Sequence, residues 1–117
     1  MKDLMLISKK VLEEKKKYFE NIEFYANKIK QIAVELLGTA RVLVFGSVVK
    51  KNYTPLSDID ILIISENLST NWQENRHIRT EIKKRIGSFS PFQLHLVRPE
   101  EFECWYKRFI KEEYIEV

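Results

Sequence analysis

Glycine and proline are scarce in this 117-residue chain, at three each, and cysteine occurs once. So few backbone breakers exclude a collagen-like chain, a flexible linker and a low-complexity tract. The lone thiol, Cys104, excludes an intramolecular disulfide and a cysteine-based zinc site, and it suits a reducing compartment. It stands beside the apolar face of the last predicted helix and reads as a structural thiol, not a nucleophile. Long hydrophobic runs are missing too: the longest are a handful of residues, against the roughly 20 needed to span a bilayer. The lysine-rich start has no apolar core of the signal-peptide kind. We therefore expect a soluble, cytoplasmic protein with no membrane partner. A strong net charge is absent as well, at +3. A balanced body speaks against nucleic acid as a general partner, because such proteins carry a basic face across the fold. Lysines gather only near the start, and Lys9, Lys10, Lys15, Lys16 and Lys17 read as a solvated helix face.

What is present is globular material, 44% hydrophobic and 32% charged, without an internal repeat. The length fits a single domain, 1–117, divided here into a helical extension over 1–19 and a core over 20–112. From Lys9 to Leu37, Val11, Tyr18, Ile22, Tyr25, Ile29, Ile32 and Leu36 recur at steps of three and four, interrupted only at Lys15. That is a helical stripe, and Gly38 stands where a left-handed C-cap is expected. Unbroken, this helix would be about 43 Å long at 1.5 Å per residue, against a diameter of roughly 35 Å for a globule of this size. Its first turns must overhang the body or break and fold back. The stripe is also heptad-like, which makes a second copy of the chain a candidate partner along the N-terminal helix.

Two short, continuous apolar runs follow, Arg41 to Phe45 and Ile59 to Ile64, rich in β-branched residues as strands covered on both faces are. Between Leu68 and Gly87 the spacing predicts a helix. Thr70 with Gln73 forms its capping box, Ile78, Ile82 and Ile86 recur every four residues, and Gly87 stops it. Pro91 introduces a third strand, Phe92 to Val97. Alternation there sets Phe92, Leu94 and Leu96 on one face and Gln93, His95 and Val97 on the other. Pro99 opens a last helix, with Glu100 and Glu101 at its positive end. Phe102, Trp105, Tyr106, Phe109 and Ile110 form an apolar face expected to pack on the sheet. The expected fold is α/β (α+β), a small mixed β-sheet packed with helices.

The chemistry concentrates in VLVFGSVVKKNYTPLSDIDILII, which starts at Val42. In a strand, Asp58 and Asp60 share a face with Cα atoms about 6.5 Å apart. Two carboxylates at that spacing, beside an apolar run, repel each other and resist burial. A hard divalent cation relieves both, and Mg2+ is typically held by one or two carboxylates plus phosphate oxygens and waters. Gly46 and Ser47 close the preceding strand. The glycine lets backbone approach a ligand, and the serine offers an N–H and a hydroxyl. A helical turn from Ser47 through Lys51 would aim N–H groups at a phosphate. Lys50 and Lys51 add positive charge, and Asn52, Tyr53, Thr54 and Pro55 turn the chain back.

Gly46-Ser47, ten intervening residues and Asp58-Ile59-Asp60 resemble the G-S-x(10)-D-x-D pattern of the DNA polymerase β-type nucleotidyltransferase superfamily. VLVFGS and SDIDILII resemble its minimal members, the MNT domains, and PFQLHLVRPEEFECWYKRFI looks like their third strand and final helix. The resemblance implies a nucleotidyltransferase fold and Mg2+-dependent transfer of a nucleoside monophosphate, AMP from ATP, to an acceptor hydroxyl. Asp58 and Asp60 would then be the catalytic metal ligands, and Gly46, Ser47 and Lys50 would hold the nucleotide's phosphates. Minimal members often pair with a HEPN-domain protein as antitoxin and toxin, so a HEPN protein is the implied partner and acceptor. The pattern departs at the third carboxylate, which relatives place on the next strand. Here the candidates are Gln93, which can offer a metal a carbonyl oxygen but accepts no proton, and His95, which accepts a proton but is a poor Mg2+ ligand. A second reading follows from that departure: an MNT-fold module with weak or no catalysis that neutralises its partner by contact. Lys50 also stands where relatives commonly carry arginine, and a lone ammonium grips phosphate more loosely than a guanidinium fork.

Overall fold

The structure is a computed structural model describing residues 2–54, 56–111 and 113–117, with their side chains except those of residues 2–8 and 11. The expected contribution of Val11 to the stripe and the turn position of Pro55 lie outside the described residues. In place of one N-terminal helix there are two, α1 (Lys2–Glu20) and α2 (Ile22–Leu37). They part at Asn21, whose backbone leaves the helical region at φ −128°, ψ 40°. Its side-chain amide donates to the Lys17 carbonyl at 2.8 Å, the local side-chain-to-backbone bond by which asparagine competes with a helix. α2 buries Ala26, Ile29, Ile32, Ala33 and Leu37 along the stripe. Among the described side chains of α1, Tyr18 near its end reaches the core, packing against Tyr25 and Phe92 at ring-centroid distances of 4.7 and 5.6 Å. Lys9, Lys10, Lys16 and Lys17 are exposed, and the molecule extends 49 Å along its long axis against 28 and 23 Å across. The first helix therefore overhangs the body. Gly38 ends α2 at φ 86°, donating its N–H to the Val34 carbonyl, but its ψ of −52° falls outside the left-handed helical cap the sequence suggests.

Three strands stand as the apolar runs predict: β1 (Arg41–Phe45), β2 (Ile59–Ile64) and β3 (Phe92–Val97). β1 pairs antiparallel with β2, placing Phe45 opposite Asp60. β2 pairs parallel with β3, placing Asp60 opposite Gln93 and Leu62 opposite His95. Parallel neighbours need a crossover, which runs through helix α4 (Arg76–Ile86). Val42, Val44, Ile59, Ile61, Ile63, Phe92, Leu94 and Leu96 face α2 and α4. Leu43, Phe45, Leu62, Ile64 and Val97 face the C-terminal segment through Phe102 and Ile110. Both faces of the sheet are thus covered.

Three features differ from the sequence reading. α4 begins at Arg76, several residues later than expected, and Thr70 and Gln73 lie in turns and not at a helix start. Small polar side chains hold those turns: Asn75 accepts from the Ser69 N–H at 2.9 Å and donates to the Ser69 carbonyl at 2.8 Å, and Asn71 accepts from the Gln73 N–H at 3.0 Å. Local bonds of this kind compete with helix formation. The second difference is the last helix, which is composite. α5 (Pro99–Glu101) runs into a π-helical segment (Phe102–Tyr106) and then α6 (Lys107–Ile110). Phe102, Tyr106 and Ile110 line up on the sheet, whereas Trp105 and Phe109 are 76% and 80% exposed. Positions 102, 105, 106, 109 and 110 share one face only on a uniform α-helix, and the wider π-helical turn from Phe102 to Tyr106 takes Trp105 off it. Cys104, on the same segment, is exposed and does not pack as a structural thiol. The third is a fourth strand, β4 (Tyr114–Glu116), antiparallel to β1 in the sheet order β3-β2-β1-β4.

β4 is pinned by Arg41, whose Nε and Nη2 donate to the two Glu116 carboxylate oxygens at 2.9 and 2.8 Å. That hydrogen bonding holds the Glu116 carboxyl below its ordinary range. A carboxyl depressed in the folded state adds stability above its unfolded pKa and loses it as pH falls through the folded value. Both side chains are more than a third exposed, so the contribution is below about 1 kcal/mol. Arg41→Met should therefore lower the urea midpoint slightly at pH 7, with the difference shrinking as pH falls below the ordinary carboxyl range. No described helix is long and apolar enough to cross a membrane.

Candidate active site

At the end of β1 the backbone turns sharply through Gly46, at φ 84° and ψ −154°, a region open essentially to glycine alone. A second constraint acts at the same residue: a Cβ there would run into the Asp60 carboxylate. From Gly46 the chain enters the short helix α3 (Ser47–Lys50), in which Val49 and Lys50 donate their N–H groups to the Gly46 carbonyl at 3.1 and 3.2 Å. The first N–H groups of such a turn, those of Ser47 and Val48, have no carbonyl within it to bond. Val48 is buried and anchors α3 on the core. Lys51 closes the turn in the left-handed region. Lys50 Nζ lies 3.7 Å from Glu113 Oε2 with both side chains more than half exposed, a pairing that solvent leaves loose.

Asp60 is the second residue of β2, and its side chain, 25% exposed, lies on the face shared with Leu62 and Ile64. Its Oδ1 is 3.3 Å from His95 Nε2. The His95 ring is packed near Phe45 and Tyr106, with centroids 5.5 and 6.2 Å away. Of the two residues considered for the third position, the structure brings His95 to Asp60. Gln93, although opposite Asp60 in register, is exposed. Asp58 is exposed just ahead of the strand, after a turn in which Ser57 Oγ accepts from the Thr54 N–H at 2.9 Å. Its charge is felt at Lys83, which burial holds below the ordinary lysine range and which Asp58 pulls partly back. Lys83 Nζ donates to the Ser90 and Phe92 carbonyls at 2.7 and 3.0 Å, bracing the start of β3.

Among the described residues no group of three or more His, Cys, Asp or Glu side chains is placed to hold a metal ion. Of the two aspartates read from the sequence as donors, Asp60 lines the site beside Gly46 and His95, and Asp58 is exposed just ahead of it. That suits Mg2+, which takes much of its shell from substrate phosphates and water, better than an ion needing an all-protein cage. Over Asp60 and His95 opens a cleft of ≈ 690 Å³ walled by Phe45, Tyr106, Trp105, Phe109 and Glu101. The last three were legible in the sequence only as core or helix-end residues. Glu101 accepts from the Arg98 N–H at 3.2 Å, and nothing in the apolar spacing showed that Trp105 and Phe109 would face outward.

Comparison with known proteins bears on the family and the fold. The family model described as "Nucleotidyltransferase domain" matches residues 26–117. A crystal structure of a proposed nucleotidyltransferase is 32% identical, with a TM-score of 0.52, and the match covers 78% of this chain and 95% of that one. A second, from Sulfolobus solfataricus and also described as a proposed nucleotidyltransferase, is 18% identical over 91% of this chain and 84% of that one, with a TM-score of 0.55. At that identity it speaks for the fold alone. No curated protein matches the sequence significantly. Since the family match spans residues 26–117, a range that includes the Gly46 turn, Asp58, Asp60 and the strand that carries His95, the chain belongs to the nucleotidyltransferase domain family.

Proposed function

We propose that this domain transfers AMP from ATP to a hydroxyl of a HEPN-domain partner, and that it acts in this way as the partner's antitoxin. The observation that carries the reading is the packing of the Asp60 carboxylate directly against Gly46, which would let a metal held by Asp60 and a phosphate held by the N–H donors of the turn lie side by side. Ser47 and Val48 would hold the β and γ phosphates through their N–H groups, with the Ser47 hydroxyl and Lys50 at the margin. Asp58 and Asp60 would hold Mg2+, which supplies charge neutralisation to the triphosphate and to the departing pyrophosphate. The acceptor oxygen bonds to the α-phosphorus, the α–β bridging bond breaks, and pyrophosphate leaves. His95, 3.3 Å from Asp60, is a group in the cleft able to accept the acceptor's proton.

A second reading has its own observation. A histidine, not a third carboxylate, stands beside Asp60, which favours a module that binds its partner and transfers little or nothing. Incubating the purified protein with α-labelled ATP, Mg2+ and the proteins that co-purify with it from its host separates the two. The transferase reading expects a labelled partner band that is lost in Asp58→Asn. Tight partner binding with no label under any condition, and undiminished in Asp58→Asn, supports the module.

A further inference from the structure

We propose that the exposed pair Trp105 and Phe109 forms the shelf on which the base of the nucleoside triphosphate stacks. The inference rests on the phosphate placement at Gly46 and Ser47 given above. Asp60 belongs to both ends of the site: its carboxylate packs against Gly46, and it also lines the cleft that the two aromatics wall. The turn and the shelf are therefore separated by the aspartate that would face the α-phosphate, much as phosphates and base are separated by a sugar.

Charge orders the ligand in the same sense. Glu101, which lines the cleft and is not among the proposed metal ligands, repels phosphate, so the anionic end of the nucleotide is left to the N–H donors of α3 and the uncharged planar end to the aromatics. Packing of the chain on itself does not account for these two side chains, because Phe102, Tyr106 and Ile110 make the contact with the sheet while Trp105 and Phe109 remain 76% and 80% exposed. The π-helical segment that carries Trp105 is a rare geometry, frequent at functional sites. Aromatic faces hold bases by stacking with little regard to identity, and losing one such contact costs on the order of tenfold in affinity.

The test uses the full chain with Trp72→Phe, which leaves Trp105 as the only tryptophan. Titration with Mg2+ and ATP should quench its fluorescence saturably, whereas inorganic tripolyphosphate should compete with ATP without quenching. Trp105→Ala should weaken ATP on the order of tenfold and leave tripolyphosphate unchanged, and Trp105→Phe should restore most of the loss. Wild-type ATP affinity in both Trp105→Ala and Phe109→Ala would overturn the shelf while leaving the phosphate site standing. The same holds if those variants bind ATP normally but lose transfer to a partner protein, since the pair would then belong to the acceptor. Failure of both ATP and tripolyphosphate to bind the parent protein removes the phosphate site, and the shelf with it.

Discussion

Gly46→Ala should lose nucleotide binding and about 2–4 kcal/mol of stability together. Two costs add at this position. The backbone sits at φ 84°, ψ −154°, where a side chain is strained by roughly 1–3 kcal/mol. The new methyl group also meets the Asp60 carboxylate, which must swing away from His95 to admit it. Gly38→Ala is the control. It meets a similar strain at φ 86°, but the nearest atom to its Cβ is Asn67 Nδ2 at 3.6 Å, an ordinary contact. Thermal unfolding should show both variants destabilised, by about 10 °C or more for Gly46→Ala. Equilibrium dialysis with ATP should show only Gly46→Ala defective. Wild-type ATP affinity in Gly46→Ala would mean that the turn and the aspartate are neighbours without a shared ligand.

Asp60→Asn is expected to reduce transfer by about 10²–10³-fold or more, the scale on which removing one preorganised charge from a phosphoryl-transfer site is felt. Asparagine keeps the shape, so the packing against Gly46 and the approach to His95 survive. The melting temperature should stay level or rise slightly, because one of two neighbouring like charges has gone. Opposite movements in activity and stability distinguish a ligand from a structural residue. A parallel fall in both would place Asp60 among the groups that merely hold β1 and β2 together.

The strands and the site's centre were readable because their signals are local. Arg41 to Phe45 and Ile59 to Ile64 are dense in β-branched residues, and the connection between them, which carries α3, brings its two ends together across an antiparallel pair. Alternation along β3 put His95 on the Asp60 face without any structure. What failed depended on competition between distant or weak terms. The early start predicted for α4 lost to bonds between Ser69, Asn71 and Asn75 that propensity does not reveal. β4 is three residues long and draws its stability from pairing with β1 and from Arg41, neither of which its own sequence displays. Trp105 and Phe109 were read as core because a helical wheel assumes uniform turns, and the segment from Phe102 to Tyr106 is π-helical. The choice between Gln93 and His95 could not be made from register. Gln93 is the residue opposite Asp60, yet it is exposed, and the His95 ring, packed near Phe45 and Tyr106, makes the contact.

The central claim is that the Gly46 turn and the aspartate pair act as one site for a metal-bound triphosphate. It is tested most directly by calorimetric titration of ATP into the purified protein with Mg2+ and with EDTA, repeated for Asp60→Asn. The account predicts saturable one-to-one binding that Mg2+ strengthens at least tenfold, with that strengthening abolished in Asp60→Asn while the variant's melting temperature holds. Equal affinity with Mg2+ and EDTA, or an Mg2+ effect undiminished in Asp60→Asn, would contradict it.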